Sequence, residues 1–92
     1  MTLRMLLVDD HAIVRQGVRQ LLLNHGVVRE VVEAESGAQA LASLDGEPFD
    51  IVLLDISLPD MNGIELLKRV KRRAPSAPVM MFSMYREDQY AV

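Results

Sequence analysis

Short apolar runs that stop at aspartates, alternating with segments of helical spacing, predict an α/β domain of parallel strands with helices on both faces. Two runs carry the case. Met5-Leu6-Leu7-Val8 and Ile51-Val52-Leu53-Leu54 are continuously apolar rather than alternating, as strands covered on both faces are. The connections are only a few residues long, and the resulting βαβαβαβ order requires parallel pairing.

Each element follows from its residues. The first run ends at Asp9-Asp10, and Asp10 is expected to cap a helix with Val14, Val18, Leu21, Leu22 and His25 inward and Gly26 as its stop. Val27 to Ala34 is β-branched and suits the second strand. Ser36-Gly37-Ala38-Gln39 is a capping-box pattern opening a short helix through Ala40, Leu41 and Leu44, closed by Gly46. Phe49-Asp50 leads into the second long run, which ends at Asp55. After a loop with Pro59 and Asp60, Asn62-Gly63-Ile64-Glu65 begins a helix that turns Ile64, Leu67 and Val70 inward and stops before Pro75. Val79-Met80-Met81-Phe82 is the fourth strand, and a further helix is expected from Arg86.

Composition narrows the function. The chain has 92 residues, half of them apolar, so it is one domain with a packed core. The absence of Cys excludes a disulfide scaffold, a thiolate zinc site and a thiol nucleophile. A net charge of −3 argues against a domain whose main task is gripping nucleic acid. No apolar run approaches the roughly 20 residues of a membrane span, and no signal-peptide pattern opens the chain. The expectation is a small cytoplasmic domain that does not enter a membrane.

In an open parallel sheet, ligands bind beyond the carboxyl ends of the strands, where the strand order reverses. Here the first and third strands end in Asp9-Asp10 and Asp55, and Ser83 follows the fourth. If the first and third strands are neighbours, three carboxylates converge, and a hard divalent cation best offsets their repulsion. The residues therefore point to a Mg²⁺ and phosphate site with one carboxylate free to act as nucleophile. A lone strand-end aspartate is usually a cap or turn residue, and Asp10 or Asp60 alone would carry only that meaning.

Val8-Asp9-Asp10-His11, the stretch from Leu53-Leu54-Asp55 through Pro59 to Gly63, and Phe82-Ser83 together resemble the receiver domain of bacterial response regulators. The wording around Asp9-Asp10-His11 and Arg15-Gly17 is most similar to the NarL/FixJ subfamily, whose members carry a C-terminal LuxR-type helix-turn-helix that binds DNA. The resemblance implies a flavodoxin-like doubly wound parallel sheet in the order 2-1-3-4, and Asp55 as acceptor of a phosphoryl group from a sensor histidine kinase. It implies Mg²⁺ held by Asp10, by Asp9 through water, by Asp55 and by the main-chain carbonyl of Ser57. It makes Ser83 the switch hydroxyl on the phosphoryl oxygens. Pro59 and Gly63 would shape the loop beside the acceptor. The family's fifth strand, with its lysine and an aromatic switch residue, and its final helix lie beyond Val92, since members run to roughly 120 residues. A chain ending at Val92 is expected to bind Mg²⁺ but to switch abnormally. It would also self-associate, or exchange elements, through the fourth-strand edge, leaving Met80, Met81, Phe82 and Met84 partly bare.

Other features have plainer readings. Lys68, Arg69, Lys71, Arg72 and Arg73 form a solvated basic face that complements a helix C-terminus. His11 is expected to line the crevice at the helix start rather than ligate a hard ion. Tyr85 and Tyr90 flank a helix that meets partners in the resembled family. Two further readings stand beside the receiver. One is a receiver-like fragment that only mediates association. The other is a Mg²⁺-dependent phosphohydrolase of the haloacid dehalogenase type, whose motif needs a second acid where this chain has Ser57.

Overall fold

The computed structural model describes residues 3–26 and 28–82. The expectations for Val27, Ser83, Met84, Tyr85, Tyr90 and the helix from Arg86 lie outside the described residues. The described chain runs β1 (Leu3–Val8), α1 (Ala12–Asn24), β2 (Val28–Ala34), α2 (Gly37–Ser43), β3 (Ile51–Asp55), α3 (Gly63–Arg73) and β4 (Val79–Phe82). The four strands form one parallel sheet in the order β2-β1-β3-β4, as the apolar runs predict, and the architecture is flavodoxin-like. The order reverses between β1 and β3, where Val8 is in register with Leu54.

Alternation along the strands sends side chains to two cores. Leu6, Val8, Val52 and Leu54 meet Ala40 and Leu41 of α2 and Leu66 and Val70 of α3 on one face. On the other, Met5, Leu7, Val28 and Val31 receive Val18, Leu22 and Leu23 of α1. The first core is closed, whereas no residue of α1 is fully buried. Met80 of β4 is 58% exposed, and Met81 and Phe82 are half-buried, as expected of an end strand.

The helix ends show which local signals acted. Ser36 Oγ accepts from the Gln39 amide at 3.1 Å, and Gln39 Oε1 returns to accept from the Glu35 amide at 2.9 Å, a capping box shifted by one residue. Asn62 Oδ1 accepts from Ile64 and Glu65. Gly26 stops α1 at φ +72°, a left-handed conformation that favours glycine.

Four expectations are corrected. Asp10 does not cap α1. The N-cap is His11, whose side chain makes no cap bond, and Asp10 lies one residue before it beside the crevice. Leu21 is 61% exposed, His25 is exposed as well, and Leu23 turns inward, since three consecutive leucines leave the helix phase open and contact with Met5 and Leu7 decides it. In α3, Leu66 rather than Ile64 faces the core. A Cβ on Gly63 would lie 2.6 Å from Ile56 Cα, so only the glycine's side of the helix can approach the preceding loop. That contact rotates Gly63, Leu66 and Val70 inward and leaves Ile64 55% exposed. Finally, α2 ends at Ser43 with Leu44 as C-cap, so Gly46 lies past the helix.

Packing predicts a sharp contrast between two leucines. Leu66→Ala, at a fully buried position under α3, should cost about 2–5 kcal/mol in urea-induced unfolding. Leu21→Ala, on the open side of α1, should stay within about 0.5 kcal/mol of the parent.

Candidate functional site

The crevice at the β1–β3 reversal is built by chain continuity. The Asp9 amide donates to Ala34 O at 3.0 Å, which prolongs the ladder one step past β1 and buries Asp9 completely. Asp55 is the last residue of β3 and is equally buried. The next amide, that of Ile56, donates to Phe82 O at 3.0 Å. Asp10 and His11 follow Asp9 before α1 begins, with side chains 29% and 55% exposed. One ligand atom from each of Asp9, Asp10, His11 and Asp55 lies within 4.8 Å of all the others. The structure thus brings together the three aspartates that the sequence singled out, and adds His11 to them.

Partners inside the group are few. Asp9 Oδ1 accepts from the His11 amide at 2.9 Å, and His11 Nδ1 is 3.0 Å from that same oxygen and 3.0 Å from Asp10 Oδ1. Asp55 Oδ1 accepts from the Ser57 amide at 2.9 Å. Asp9 Oδ2, Asp55 Oδ2 and Ser57 Oγ are buried with no partner among the described residues. Orphaned buried oxygens of this kind are costly unless something outside the chain satisfies them.

Electrostatics agree with the geometry. Burial holds the Asp55 carboxyl above the usual carboxylate range. The Ser57 amide opposes this, and the neighbouring charge of Asp9 adds to it. The His11 imidazole is raised, first by its hydrogen bond to Asp9 and then by the charge of Asp10. A donor set of three carboxylates with two unpartnered buried oxygens fits a divalent cation.

The surrounding chain fixes these groups. The Arg15 guanidinium donates to Asp9 O at 2.7 Å and to Glu33 at 3.1 Å, tying α1, β2 and the end of β1 together. Asp60, in the loop after β3, accepts from the Gly37 and Ala38 amides at 2.9 and 3.2 Å. It thereby caps α2 from 23 residues away. The sequence gives no signal for such a distant cap, and it offers only a weak one for Arg15, four residues after His11. Ser57 sits in the turn after Asp55 as expected. Ser83 lies outside the described residues. The basic cluster of α3 pairs elsewhere, Arg69 with Glu65 at 3.2 Å and Arg73 with Asp45 at 3.4 Å.

A parallel sheet whose order reverses beside a buried acidic crevice defines a doubly wound domain, a class in which ligands bind beyond the carboxyl ends of the strands. Comparison with known proteins makes this particular: the family model of the response regulator receiver domain matches residues 5–92, and the chain belongs to that family. The response regulator protein VraR of Staphylococcus aureus is 34% identical over 97% of this chain and 43% of its own length. The chain therefore spans less than half of that curated relative. A CheY-like receiver domain from Methanospirillum hungatei superposes with a TM-score of 0.84 at 32% identity, covering 97% of this chain and 70% of that one. TrrA of Thermotoga maritima, solved in complex with Mg²⁺ and BeF, superposes with a TM-score of 0.81 at 27% identity, covering 100% and 77%. Among the described residues, no helix is long and apolar enough to cross a membrane.

The Asp60 cap predicts a pH signature. Asp60→Ala should cost roughly 0.5–2 kcal/mol at pH 7. The Gly37 amide, and then that of Ala38, hold the Asp60 carboxyl below its ordinary value. The folded value is the depressed one, so the contribution is complete above the unfolded value of about 3.9 and disappears as pH falls through the lower folded one. Urea midpoints of parent and variant should differ by a constant amount from pH 7 to 5 and begin to converge only below about pH 4.

Proposed function

We propose that the chain is the phosphoacceptor domain of a two-component response regulator, in which Asp55 takes a phosphoryl group from a phosphohistidine on a sensor histidine kinase. The observation that carries this reading is a buried Asp55 with one oxygen held by the Ser57 amide and the other unpartnered beside Asp9 and Asp10. In the reaction, a bond forms between Asp55 Oδ2 and phosphorus while the phosphorus–nitrogen bond breaks, and the imidazole nitrogen leaves with the electron pair. Phosphoryl transfer needs in-line positioning and charge neutralisation rather than elaborate covalent machinery. The Ser57 amide supplies positioning by fixing Oδ1 and presenting the other oxygen. Asp9, Asp10, Asp55 and the Ser57 carbonyl would hold Mg²⁺, which when bound neutralises charge on the phosphoryl oxygens. Ser83, immediately after β4, would donate its hydroxyl to the same oxygens.

The domain catalyses only its own phosphorylation and dephosphorylation on this reading, in the cytoplasm. In a longer parent chain it would control a DNA-binding helix-turn-helix domain, a proposal supported by the NarL/FixJ-like wording of Asp9-Asp10-His11 and Arg15-Gly17. The Mg²⁺ requirement is supported by the orphaned oxygens and by the Mg²⁺–BeF complex of the related TrrA.

Two measurements test the reading. Incubation with acetyl phosphate and Mg²⁺ should add the mass of one phosphoryl group, seen by intact mass spectrometry, and Asp55→Asn should gain none. An unchanged wild-type mass would overturn the acceptor assignment. Independently, Mg²⁺ at a hundred times its dissociation constant should raise the stability of the wild type by about 2.7 kcal/mol. Asp10→Asn should lose that increment at the same concentration, and an increment that survives the substitution would remove Asp10 from the ligand set.

A further inference from the structure

We infer that Arg15 is a positioning residue of this site, which sets the Mg²⁺ affinity of Asp9 and Asp10 by holding the peptide that joins them. The inference rests on the metal-dependent phosphoacceptor reading and deepens it by one residue, placed a single peptide behind the carboxylates.

Asp10 follows Asp9 directly, so the plane of the peptide between them sets the direction in which Asp10 leaves the sheet. The amide side of Asp9 is fixed by the ladder, since its N–H donates to Ala34 O at 3.0 Å. The carbonyl side is fixed by Arg15, whose Nη1 donates to Asp9 O at 2.7 Å, a short bond of the charge-assisted kind. Among the described residues the Asp10 carboxylate meets only the His11 ring, 3.0 Å away. The peptide behind it therefore decides where it points.

The guanidinium is itself anchored. Its side chain is 14% exposed, and Nε donates to Glu33 Oε1 on β2 at 3.1 Å. The other oxygen of Glu33 lies 3.7 Å from Arg19, one turn further along α1. A planar fork with fixed spacing between its donors meets both acceptors at once, which an ammonium group does not reproduce. Because no residue of α1 is fully buried, a displacement of this helix is transmitted through Arg15 to the peptide between the two aspartates.

Charge and geometry act here in opposite directions, which makes the role separable. A guanidinium behind an acidic crevice repels a divalent cation, so if charge alone mattered its loss would tighten Mg²⁺ binding. Removing a partner that orients a ligand instead weakens metal binding, typically by about 10–100-fold. The short bond to the carbonyl, the burial and the second anchor on Glu33 place Arg15 in the latter class.

The test is calorimetric titration of the full chain with Mg²⁺, with urea unfolding in metal-free buffer as the readout of folding. Arg15→Gln and Arg15→Lys should each weaken Mg²⁺ binding at least about tenfold. Arg19→Gln removes the same charge from the same helix at a residue that pairs with Glu33 alone, and it should keep the wild-type affinity. Arg15→Lys retains the charge and carries the test should Arg15→Gln not fold. Tighter binding in Arg15→Gln, or wild-type affinity in Arg15→Lys, would overturn the positioning role and leave the metal site standing. So would a loss of metal-free stability in both variants with Mg²⁺ affinity unchanged, the result expected of a purely structural tie. No Mg²⁺ binding by the wild type would remove the metal-dependent reading itself, and this inference with it.

Discussion

Two carboxylates buried side by side set the terms for the rest of this domain. Asp9 and Asp55 are wholly shielded from solvent at the ends of adjacent strands, with ligand atoms no more than 4.8 Å apart. At an effective dielectric constant near 20, two such charges repel by about 3–4 kcal/mol. The chain offsets only part of this, with one amide on Asp55, one amide and an imidazole on Asp9, and the Arg15 guanidinium on the Asp9 carbonyl. What is left over is an unpartnered oxygen on each. Burial first, and then the neighbouring charge of Asp9, raises the Asp55 carboxyl, while the hydrogen bond to Asp9 and the charge of Asp10 raise the His11 imidazole.

A site that stores repulsion must be held firmly, and the loop after β3 shows how. Gly63 lets α3 press against Ile56, Asn62 caps α3, and Asp60 reaches across to cap α2. Met61 fills the space that a side chain at position 37 would need, 3.2 Å from a Cβ built on Gly37. The loop after β3 is therefore fixed to both helices that close the first core. The opposite face is looser, with Ile13 84% exposed and α1 nowhere fully buried.

Much of this was legible in the sequence because it is local. Unbroken apolar runs mark doubly covered strands, and a strand that ends in aspartate delivers that residue to the carboxyl edge without further information. Parallel order then makes Asp9, Asp10 and Asp55 neighbours. Legibility failed where tertiary contact chooses among equal local options. Leu21, Leu22 and Leu23 cannot all face the sheet, and Ile64, Leu66 and Leu67 offer two stripes of similar hydrophobicity. The close approach of Gly63 to Ile56 breaks that tie, and it requires knowing that loop and helix touch. The Asp60 cap and the orientation of the His11 ring are hidden for the same reason, since each depends on a partner outside the local pattern.

Why the proposed acceptor is Asp55, and neither Asp9 nor Asp10, follows from how each carboxylate is engaged. Asp9 Oδ1 meets both the amide and the ring of His11, which draws on its electron density and fixes its direction. Asp10 is part exposed and shares the same ring, so it stands at the mouth of the crevice. Among the described residues Asp55 meets no cation; one amide holds one oxygen, and its second oxygen is buried without a partner. Poor solvation and weak pairing make a carboxylate more basic and more nucleophilic, which is what the upward displacement of its titration reports. Asp9 and Asp10 differ in sharing the His11 ring, and on the proposed reading this suits them to holding an ion. On the proposed reading, three residues of one chemical type take different parts through their immediate surroundings, with Asp55 alone serving in both attack and coordination.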